Sequence, residues 1–322
     1  MGKKINKISL ITTVFNEETE IGRFIESILN QSTVPEEIVI VDGRSTDKTV
    51  DRINDYRLKI KEKGIKFKLI SRKGNIATGR NEAIKNAKNN TILVSDVGCI
   101  LHRDWVKNIS APFEDKKVDV VAGFYEPKAN SVFEKCLATY TSVMPGKIDP
   151  ENFLPSSRSV AFRKSAWKKV SRYPEWLDTC EDLFFARELK RNGFKFKFQK
   201  NALVFWPQRK NLNEAFKQFY NYAKGDGTAR YIRPNTPFLF LRYVLGLVLL
   251  FIGFITQSTT SYAVIILLLV GYTLWSINKN YKYVKDPLAF IYLPTLQFMS
   301  DLAVISGMSI GFSKSFSVKK SN

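Results

Sequence analysis

The sequence has few of the residues that metal centres and histidine-based catalysis require. Its 322 residues include one histidine, His102, and three cysteines, none of which belongs to a CxxC pair. Zinc ribbons, multi-histidine metal centres and thioredoxin-type motifs need several such side chains at short spacing. The composition therefore argues against these sites and against histidine-based triads. We expect the three cysteines to be reduced thiols of a protein in a reducing compartment.

Charge is almost absent from two long C-terminal stretches. Residues 238–277 contain one formal charge, Arg242, and residues 288–313 contain one, Asp301. The whole chain nevertheless carries a net charge of +20, from 50 Lys and Arg against 30 Asp and Glu. Nearly all of that charge therefore belongs to the N-terminal part. This distribution excludes a single fully soluble domain, and it also excludes a protein made only of membrane helices.

The uncharged stretches predict membrane spans. About 20 apolar residues suffice to cross the hydrocarbon core of a bilayer, and 238–256 and 261–277 meet this requirement closely. The segment 288–312 is long enough as well, but Pro294 and Asp301 interrupt it. We expect it to be either a third span or a re-entrant helical pair.

Positive charge predicts the orientation of these spans. The loop 278–286 carries three lysines, and the tail contributes Lys314, Lys319 and Lys320. Such segments remain in the cytoplasm. The apolar run 8–15 is too short and too polar for a signal peptide. We therefore predict a multi-pass protein of the cell membrane with a cytoplasmic N-terminal domain.

The excess of lysine and arginine favours an anionic partner, which could be nucleic acid, a membrane surface or a phosphorylated substrate. No zinc finger or RNP-type aromatic motif accompanies the charge, so we expect no nucleic-acid partner and favour an anionic membrane. Residues 212–224 have an apolar face at helical spacing. Because they precede the spans, they predict an interfacial helix, with ordinary core packing as the alternative.

Short apolar runs alternate with helical patterns over the first hundred residues. The runs at 8–14, 36–42, 67–71 and 91–96 predict buried strands, and the intervening segments predict helices. This alternation indicates an α/β fold with a mostly parallel sheet. Further strands are predicted at 118–124, 159–163, 195–197 and 203–206, with a helix at 182–191.

Two of the predicted strands end on an acid, Asp42 and Asp96. Ligands of parallel sheets bind beyond the carboxyl ends of the strands, so these acids are the first candidates for a functional site.

The N-terminal part of the chain resembles family 2 glycosyltransferases. Their fold is the Rossmann-like GT-A fold of nucleotide-diphospho-sugar transferases. The resemblance extends over about residues 6–210 and rests on five motifs in the expected order. These are NEE at 16–18, VDGRSTD at 41–47, NIATGRN at 75–81, SDVG at 95–98 and CED at 180–182. It implies a catalytic domain at 1–210. The amphipathic and uncharged stretches that follow predict an interfacial helix and linker at 211–235 and a membrane domain at 236–322.

The resemblance implies a nucleotide site at the carboxyl end of the sheet. Asp42 matches the acid that accepts a hydrogen bond from the base in that family, and an ionised carboxylate can only accept. Glu17 would flank the ribose and base, and Lys73 and Arg80 would meet phosphate, although Lys73 could equally be a solvated loop lysine. The nucleotide-binding residues implied are Thr13, Phe15, Glu17, Asp42, Lys73, Arg80, Ser95 and Asp96.

The resemblance also implies a divalent cation. Asp96 matches the first acid of the family's DxD motif, which holds Mg²⁺ or Mn²⁺ against the sugar-nucleotide diphosphate. The third position of the motif is Gly98 rather than an acid. We expect a cation held by one carboxylate, the diphosphate and waters, with His102 or Asp104 as a possible further ligand.

The catalytic residues implied are Asp182 and Glu181. Asp182 matches the family's base, which takes the proton of the acceptor hydroxyl. Glu181 would orient the acceptor or raise the pKa of Asp182. Alternatively, both acids would only begin a helix at its positive end. Arg158 and Arg209 are candidate contacts for the acceptor or its phosphate.

We therefore predict an inverting glycosyltransferase that uses a UDP- or GDP-sugar and a lipid-linked or glycan acceptor at the cytoplasmic face of the membrane. One alternative is a membrane partner that keeps the fold without activity, because Gly98 replaces a metal ligand. A second is a polysaccharide synthase, which would need a channel that two or three spans scarcely provide.

Overall fold

The computed structural model describes residues 5–317 and contains two compact units. The first unit comprises the chain up to Lys128 together with Pro145–Pro207. The second comprises Ala129–Met144 together with the chain from Gln208 onward. The predicted basic tail residues Lys319 and Lys320 lie outside the described residues.

The first unit is built on one eight-stranded sheet with the strand order β3-β2-β1-β4-β7-β6-β8-β5. Strands β1 to β4 are parallel to one another, whereas β7 is antiparallel to both β4 and β6. The predicted α/β fold with a mostly parallel sheet is therefore confirmed. The strands are β1 (Ile5–Val14), β2 (Val34–Asp42), β3 (Lys66–Ser71), β4 (Thr91–Val94), β5 (Ile100–Leu101), β6 (Val120–Lys128), β7 (Val160–Arg163) and β8 (Phe196–Pro207).

Helices cover both faces of this sheet. Successive residues of a strand point to opposite faces, so Leu10 enters one hydrophobic core and Ile11 the other. The helices of this unit are α1 (Ile21–Leu29), α2 (Thr49–Asp55), α3 (Arg57–Glu62), α4 (Ile76–Asn86), α5 (Trp105–Ser110), α7 (Lys164–Lys169) and α8 (Glu181–Arg191), with α6 in the second unit, and a 3₁₀ turn covers Ala111–Glu114.

The register of the parallel strands brings their carboxyl ends together. Val14 of β1 pairs with Asp42 of β2, and Asp42 pairs with Ser71 of β3. On its other side, β1 pairs with β4 through Ile11 and Val94. The chain crosses from β1 to β2 in one direction and reaches β4 in the other, so the gap between β1 and β4 is the position where such sheets bind ligands.

Some predicted elements differ from those observed. The strands predicted at 195–197 and 203–206 form one strand, β8, whose register against β6 shifts between Ala122 and Phe124. That irregularity accommodates the polar residues between them, which resemble a turn in the sequence. The pattern also misses α5, α6 and α7, which lie beyond the regular alternation of strands and helices in the first hundred residues.

The second unit is helical and contains α6 (Val132–Thr141), α9 (Leu212–Thr228), α10 (Thr236–Thr256), α11 (Thr259–Val284) and α12 (Ala289–Ser315). Within residues 5–317, α10, α11 and α12 are long and apolar enough to cross a membrane. The loop predicted at 278–286 is wrong for most of its length, because α11 continues to Val284.

Helix α12 is one continuous helix and not a re-entrant pair. Pro294 lies in its second turn, where a missing N–H removes one hydrogen bond near the helix start and does not end the helix. Asp301 remains inside the helix because neighbouring side chains donate hydrogen bonds to it.

Helix α9 packs closely against α12 through glycines. A Cβ atom added to Gly311 would lie 2.1 Å from the carbonyl oxygen of Lys224, and one added to Gly307 would lie 2.4 Å from that of Tyr220. The predicted amphipathic helix 212–224 therefore packs on another helix of the same unit. This agrees with core packing, the alternative to an interfacial helix. Leu212, Phe216 and Tyr222 remain partly exposed.

Candidate active site

Hydrogen bonds join the loops that follow β1 and β2. Asn16 has a left-handed backbone with φ of 56°, its amide donates to Ser45 Oγ at 2.9 Å, and its Oδ1 accepts the Thr46 amide at 2.9 Å. The Glu17 amide donates to Thr49 Oγ1 at 2.7 Å. Two loops from adjacent strand ends thus form one rigid rim. Asn16 and Thr49 also belong to this rim, and the sequence pattern predicts no role for either.

Asp42 is buried at this rim, and its carboxylate organises the loop after β2. Its Oδ2 accepts the Arg44 amide at 3.0 Å, and both oxygens lie 3.2 Å from the Ser45 amide. Asp42 is 3 % exposed. Each carboxylate oxygen can accept two hydrogen bonds, so Oδ1 retains capacity for one further donor.

The other predicted nucleotide residues differ in their exposure. Phe15 directly follows β1 and is 59 % exposed, which is unusual for a phenylalanine beside a rigid loop. Lys73 lies in an exposed loop, and Glu17 is half-buried. Thr13 packs against α4, because a Cβ added to Gly79 would lie 2.6 Å from its Cγ2.

Asp96 lies two residues beyond β4 in a tight turn. The Cys99 amide donates to the Asp96 carbonyl at 3.2 Å, and Gly98 has a φ of +93°. Side chains rarely adopt that conformation, so the turn itself favours glycine at the position where the DxD motif has an acid. The buried Ser95 hydroxyl donates to the Arg158 carbonyl at 2.7 Å, which ties this turn to the segment before β7.

Arg80 joins Asp96 to the acid pair at the start of α8. Its Nη2 donates to Asp96 Oδ1 at 2.6 Å, and its Nη1 donates to Glu181 Oε1. Arg80 itself is 1 % exposed. Its guanidinium therefore lies between two carboxylates inside the protein, and its predicted contact with nucleotide phosphate stays a prediction.

Burial raises the pKa of Glu181 to about 7, although Arg80 opposes the shift and Asp182 adds to it. The half-buried Asp182 is held by backbone amides: its Oδ1 accepts from Leu183 at 2.8 Å and its Oδ2 from Ser157 at 3.2 Å. The two adjacent acids thus have different environments. Glu181 points to a buried arginine, whereas Asp182 lies beside the segment that precedes β7.

The segment 173–178 supports this arrangement, and we assigned it no role from the sequence. Asn81 Oδ1 accepts from the Tyr173 amide and from Trp167 Nε1, each at 3.0 Å. Asn75 Nδ2 donates to the Glu175 carbonyl at 2.8 Å. Both asparagines belong to the NIATGRN motif, which is the part of the sequence that indicates a role for them. Their partners are about a hundred residues away and could not be identified from spacing.

Arg158 lies close to two aromatic side chains. Its guanidinium carbon is 3.8 Å from the ring centre of Trp206 and 5.1 Å from that of Tyr125. These aromatic contacts, together with the hydrogen bond from Arg158 Nη1 to Ser156 Oγ at 3.2 Å, hold the guanidinium in place. Arg209 is exposed and belongs to the second unit.

The donor set around Asp96 fits a cation that the substrate helps to hold. Asp96 Oδ1 accepts from Arg80, and within residues 5–317 no hydrogen bond reaches Oδ2. The described chain contains no group of three or more His, Cys, Asp or Glu suited to a metal. His102 Nδ1 instead accepts the Asp104 amide at 3.3 Å. One carboxylate with waters and phosphate oxygens is a usual environment for Mg²⁺.

The chain is similar to known proteins in its sequence and in its fold. The model of the family described as glycosyl transferase family 2 matches residues 9–168. A mannosyltransferase, PcManGT from Pyrobaculum calidifontis, solved in complex with GDP-Man and Mn²⁺, superposes with a TM-score of 0.63 at 17 % identity. The superposition covers 93 % of this chain and 87 % of that one, and it shows a common fold.

Two curated relatives extend beyond the matched segment. Dolichyl N-acetyl-alpha-D-glucosaminyl phosphate 3-beta-D-2,3-diacetamido-2,3-dideoxy-beta-D-glucuronosyltransferase of Methanococcus voltae is 26 % identical over 98 % of this chain and 100 % of its own. O-antigen chain rhamnosyltransferase RfbN of Salmonella typhimurium is 23 % identical over 67 % of this chain and 71 % of its own. The chain belongs to glycosyl transferase family 2 and is a glycosyltransferase with the GT-A fold.

Proposed function

We propose that this glycosyltransferase transfers a sugar, with inversion, from a UDP- or GDP-sugar to a lipid-linked or glycan acceptor at the cytoplasmic face of the membrane. The observation that carries the proposal is the junction of Asp96 with the acid pair Glu181–Asp182 through Arg80. It joins a candidate cation ligand to a candidate base beyond the carboxyl ends of the strands, where such folds bind substrate.

The donor nucleotide would bind at the rim formed by the loops after β1 and β2. Asp42 has one free acceptor position for an N–H of the base. The exposed ring of Phe15 offers a surface for stacking on the base. Glu17 and Thr13 would line the ribose side, and Lys73 in its exposed loop would reach the phosphates.

Asp96 would hold Mg²⁺ or Mn²⁺ together with the diphosphate and waters, and Ser95 anchors the turn that carries it. When bound, the cation would offset the negative charge that develops on the leaving diphosphate. The turn at Gly98 and the hydrogen bond from Arg80 position the Asp96 carboxylate.

Inversion needs one base near the acceptor hydroxyl. The acceptor oxygen would attack the anomeric carbon from the face opposite the diphosphate, forming the new C–O bond as the bond to the diphosphate oxygen breaks. The leaving oxygen takes the electron pair of that bond, and Asp182 takes the hydroxyl proton. Two backbone amides orient the Asp182 carboxylate for this role.

Several features support an acceptor at a membrane. Helices α10, α11 and α12 have the length and composition of spans, and lysines of the α11–α12 region predict a cytoplasmic orientation. The Methanococcus relative is named for a dolichyl phosphate-linked sugar. Arg158, oriented by Trp206, and the exposed Arg209 are candidate contacts for the acceptor or its phosphate. The catalytic domain would comprise residues 1–210, the helix and linker residues 211–235, and the membrane domain residues 236–322.

The test is release of nucleoside diphosphate by the full chain in detergent, from a panel of sugar nucleotides with a lipid-phosphate-linked sugar as acceptor. Asp182→Asn should abolish release while nucleotide binding persists. Glu188→Gln, on the same helix α8, should leave both unchanged. A wild-type protein that neither binds nor cleaves any donor would refute the proposal. Normal activity of Asp182→Asn would refute the role of Asp182, and product length separates one transfer from polymer synthesis.

A further inference from the structure

Arg80 is a charged residue in an interior position. It lies on the buried face of α4 and is 1 % exposed, although it carries a full positive charge. A buried guanidinium is costly unless acidic partners compensate it. Here Asp96 and Glu181 are those partners. The arginine therefore serves carboxylates of the protein.

Arg80 packs against aromatic side chains that stack on one another. Its guanidinium carbon lies 5.5 Å from the ring centre of Tyr173, and Tyr173 stacks on Phe185 of α8 at 4.1 Å. The next residue, Asn81, is held by Trp167 and Tyr173. The Tyr173 ring and the hydrogen bonds of Asn81, the neighbouring residue of α4, thus position the guanidinium without any substrate.

One arm of Arg80 orients Asp96. Nη2 engages Oδ1, while Oδ2 has no hydrogen bond within residues 5–317. The Asp96 side chain is 29 % exposed. A carboxylate held by one oxygen presents the other in a defined direction, which favours binding of a cation by lowering the entropy lost on coordination.

The other arm fixes the start of α8. Nη1 engages Glu181, the first residue of that helix, and the residue before it, Cys180, has a left-handed backbone with φ of 69°. Asp182 follows Glu181 directly. Anchoring Glu181 inside the protein therefore determines where the Asp182 carboxylate lies.

We infer that Arg80 is the shared positioning residue of the reaction, holding the cation ligand Asp96 with one arm and the helix start that carries Asp182 with the other. This inference rests on the proposed function, and it links the cation ligand Asp96 to the proposed base Asp182. Arginine suits the task because its planar fork donates in two directions at once, whereas lysine is a single point of charge.

The experiment measures Mn²⁺ affinity by electron paramagnetic resonance, in the presence of a nucleoside diphosphate, beside kcat and the melting temperature of the full chain. Arg80→Gln should weaken Mn²⁺ binding by about 10–100-fold, the range observed when a residue orienting a ligand is lost, and should also lower kcat. Arg80→Lys should lie between wild type and Arg80→Gln. Mn²⁺ affinity of a folded Arg80→Gln within twofold of wild type would overturn the inference.

Two further variants separate positioning from general damage. Arg163→Gln removes another arginine that bonds backbone carbonyls, at Val118 among others, and should lower the melting temperature without changing Mn²⁺ affinity. Glu181→Gln weakens only the second arm and should lower kcat while Mn²⁺ affinity stays within twofold. Equal loss of Mn²⁺ affinity in Glu181→Gln and Arg80→Gln would overturn the two-arm assignment, even if Arg80→Gln folds poorly.

The wild-type protein distinguishes this inference from the proposed function. If wild type neither binds a nucleoside diphosphate with Mn²⁺ nor turns over a donor, the proposed function fails. If wild type does both and the Arg80 variants keep its Mn²⁺ affinity, only the assignment of Arg80 fails.

Discussion

Arg242 and Asp301, the single charges of two otherwise uncharged stretches, are hydrogen-bonded to each other: Arg242 Nη2 lies 3.0 Å from Asp301 Oδ2. Tyr243 of α10 and Tyr272 of α11 donate to the same oxygen, and Gln297 donates to Oδ1. One carboxylate of α12 thus receives donors from all three apolar helices. Charged groups within membrane helices are expensive and are usually paired with one another.

Asp301→Ala should therefore loosen the helical unit. Hydrogen bonds between membrane helices contribute about 0.6 kcal/mol each, so losing the common acceptor of the three donors on α10 and α11 should cost about 2 kcal/mol. Thermal unfolding in detergent micelles measures the loss. Asp286→Asn, in the loop before α12, should leave the transition unchanged, and the double variant Arg242→Gln/Asp301→Asn should recover part of the loss because no uncompensated charge remains. An unchanged transition in Asp301→Ala would contradict this account.

Gly311→Ala should destabilise the same unit by about 1–3 kcal/mol, the usual cost of overpacking. The added methyl would lie 2.1 Å from the Lys224 carbonyl, so α9 and α12 must separate. Gly271→Ala is the matched control, because nothing lies within 4 Å of its added Cβ. Alanine favours helix over glycine by about 1 kcal/mol, so this control should be neutral or stabilising. Parallel behaviour of the two variants in thermal unfolding would contradict the close packing.

Phe15→Ala should weaken binding of the donor nucleotide by about 1–3 kcal/mol, the contribution of stacking one base on an aromatic ring. Its effect on stability should be small, since 59 % of the residue is exposed. Isothermal titration with UDP and GDP measures the affinity. Leu58→Ala, another exposed apolar side chain of the same unit, should bind nucleotide as wild type does. Equal affinities of all three proteins would exclude Phe15 from the nucleotide site.

Glu181 should make stability depend on pH. Burial raises its pKa from 4.5 to about 7 in the folded protein, so between these values the folded state binds more protons than the unfolded state. The free energy of unfolding contributed by Glu181 therefore falls as pH rises from about 4.5 to about 7 and stays lower above that. Glu181→Gln lacks this dependence.

Melting curves between pH 5 and pH 8.5 test the point. The stability of Glu181→Gln relative to wild type should rise with pH, while Glu188→Gln should follow wild type throughout. Parallel curves for Glu181→Gln and wild type would show that Glu181 titrates in its ordinary range.

Much of the catalytic unit could be predicted from the sequence because it depends on local patterns. Strands β1 to β4 are short runs of apolar and β-branched residues, and the acids Asp42 and Asp96 follow from their position at strand ends. The helices α5 to α7 could not be predicted, since they lie outside the regular alternation of strands and helices. The continuous strand β8 could not be predicted either, because the polar residues in its middle resemble a turn.

Arg80 shows where sequence reasoning ends. Its place in the NIATGRN motif predicts a phosphate contact, which stays a prediction. The motif does not indicate that the fold buries Arg80 between Asp96 and Glu181, which are 16 and 101 residues away along the chain. Which side chain faces inward depends on how α4 packs between β1 and the segment 173–178, and no local pattern records that packing.

The sequence by itself determined the family, the α/β alternation, the acids at the strand ends and the apolar C-terminal helices, because each depends on neighbouring residues or on composition. Only the tertiary structure decided which charges meet. Arg242 with Asp301, and Arg80 with Asp96 and Glu181, are partners because burial makes an unpaired charge costly. That cost acts between residues which are distant in the chain and adjacent only after folding.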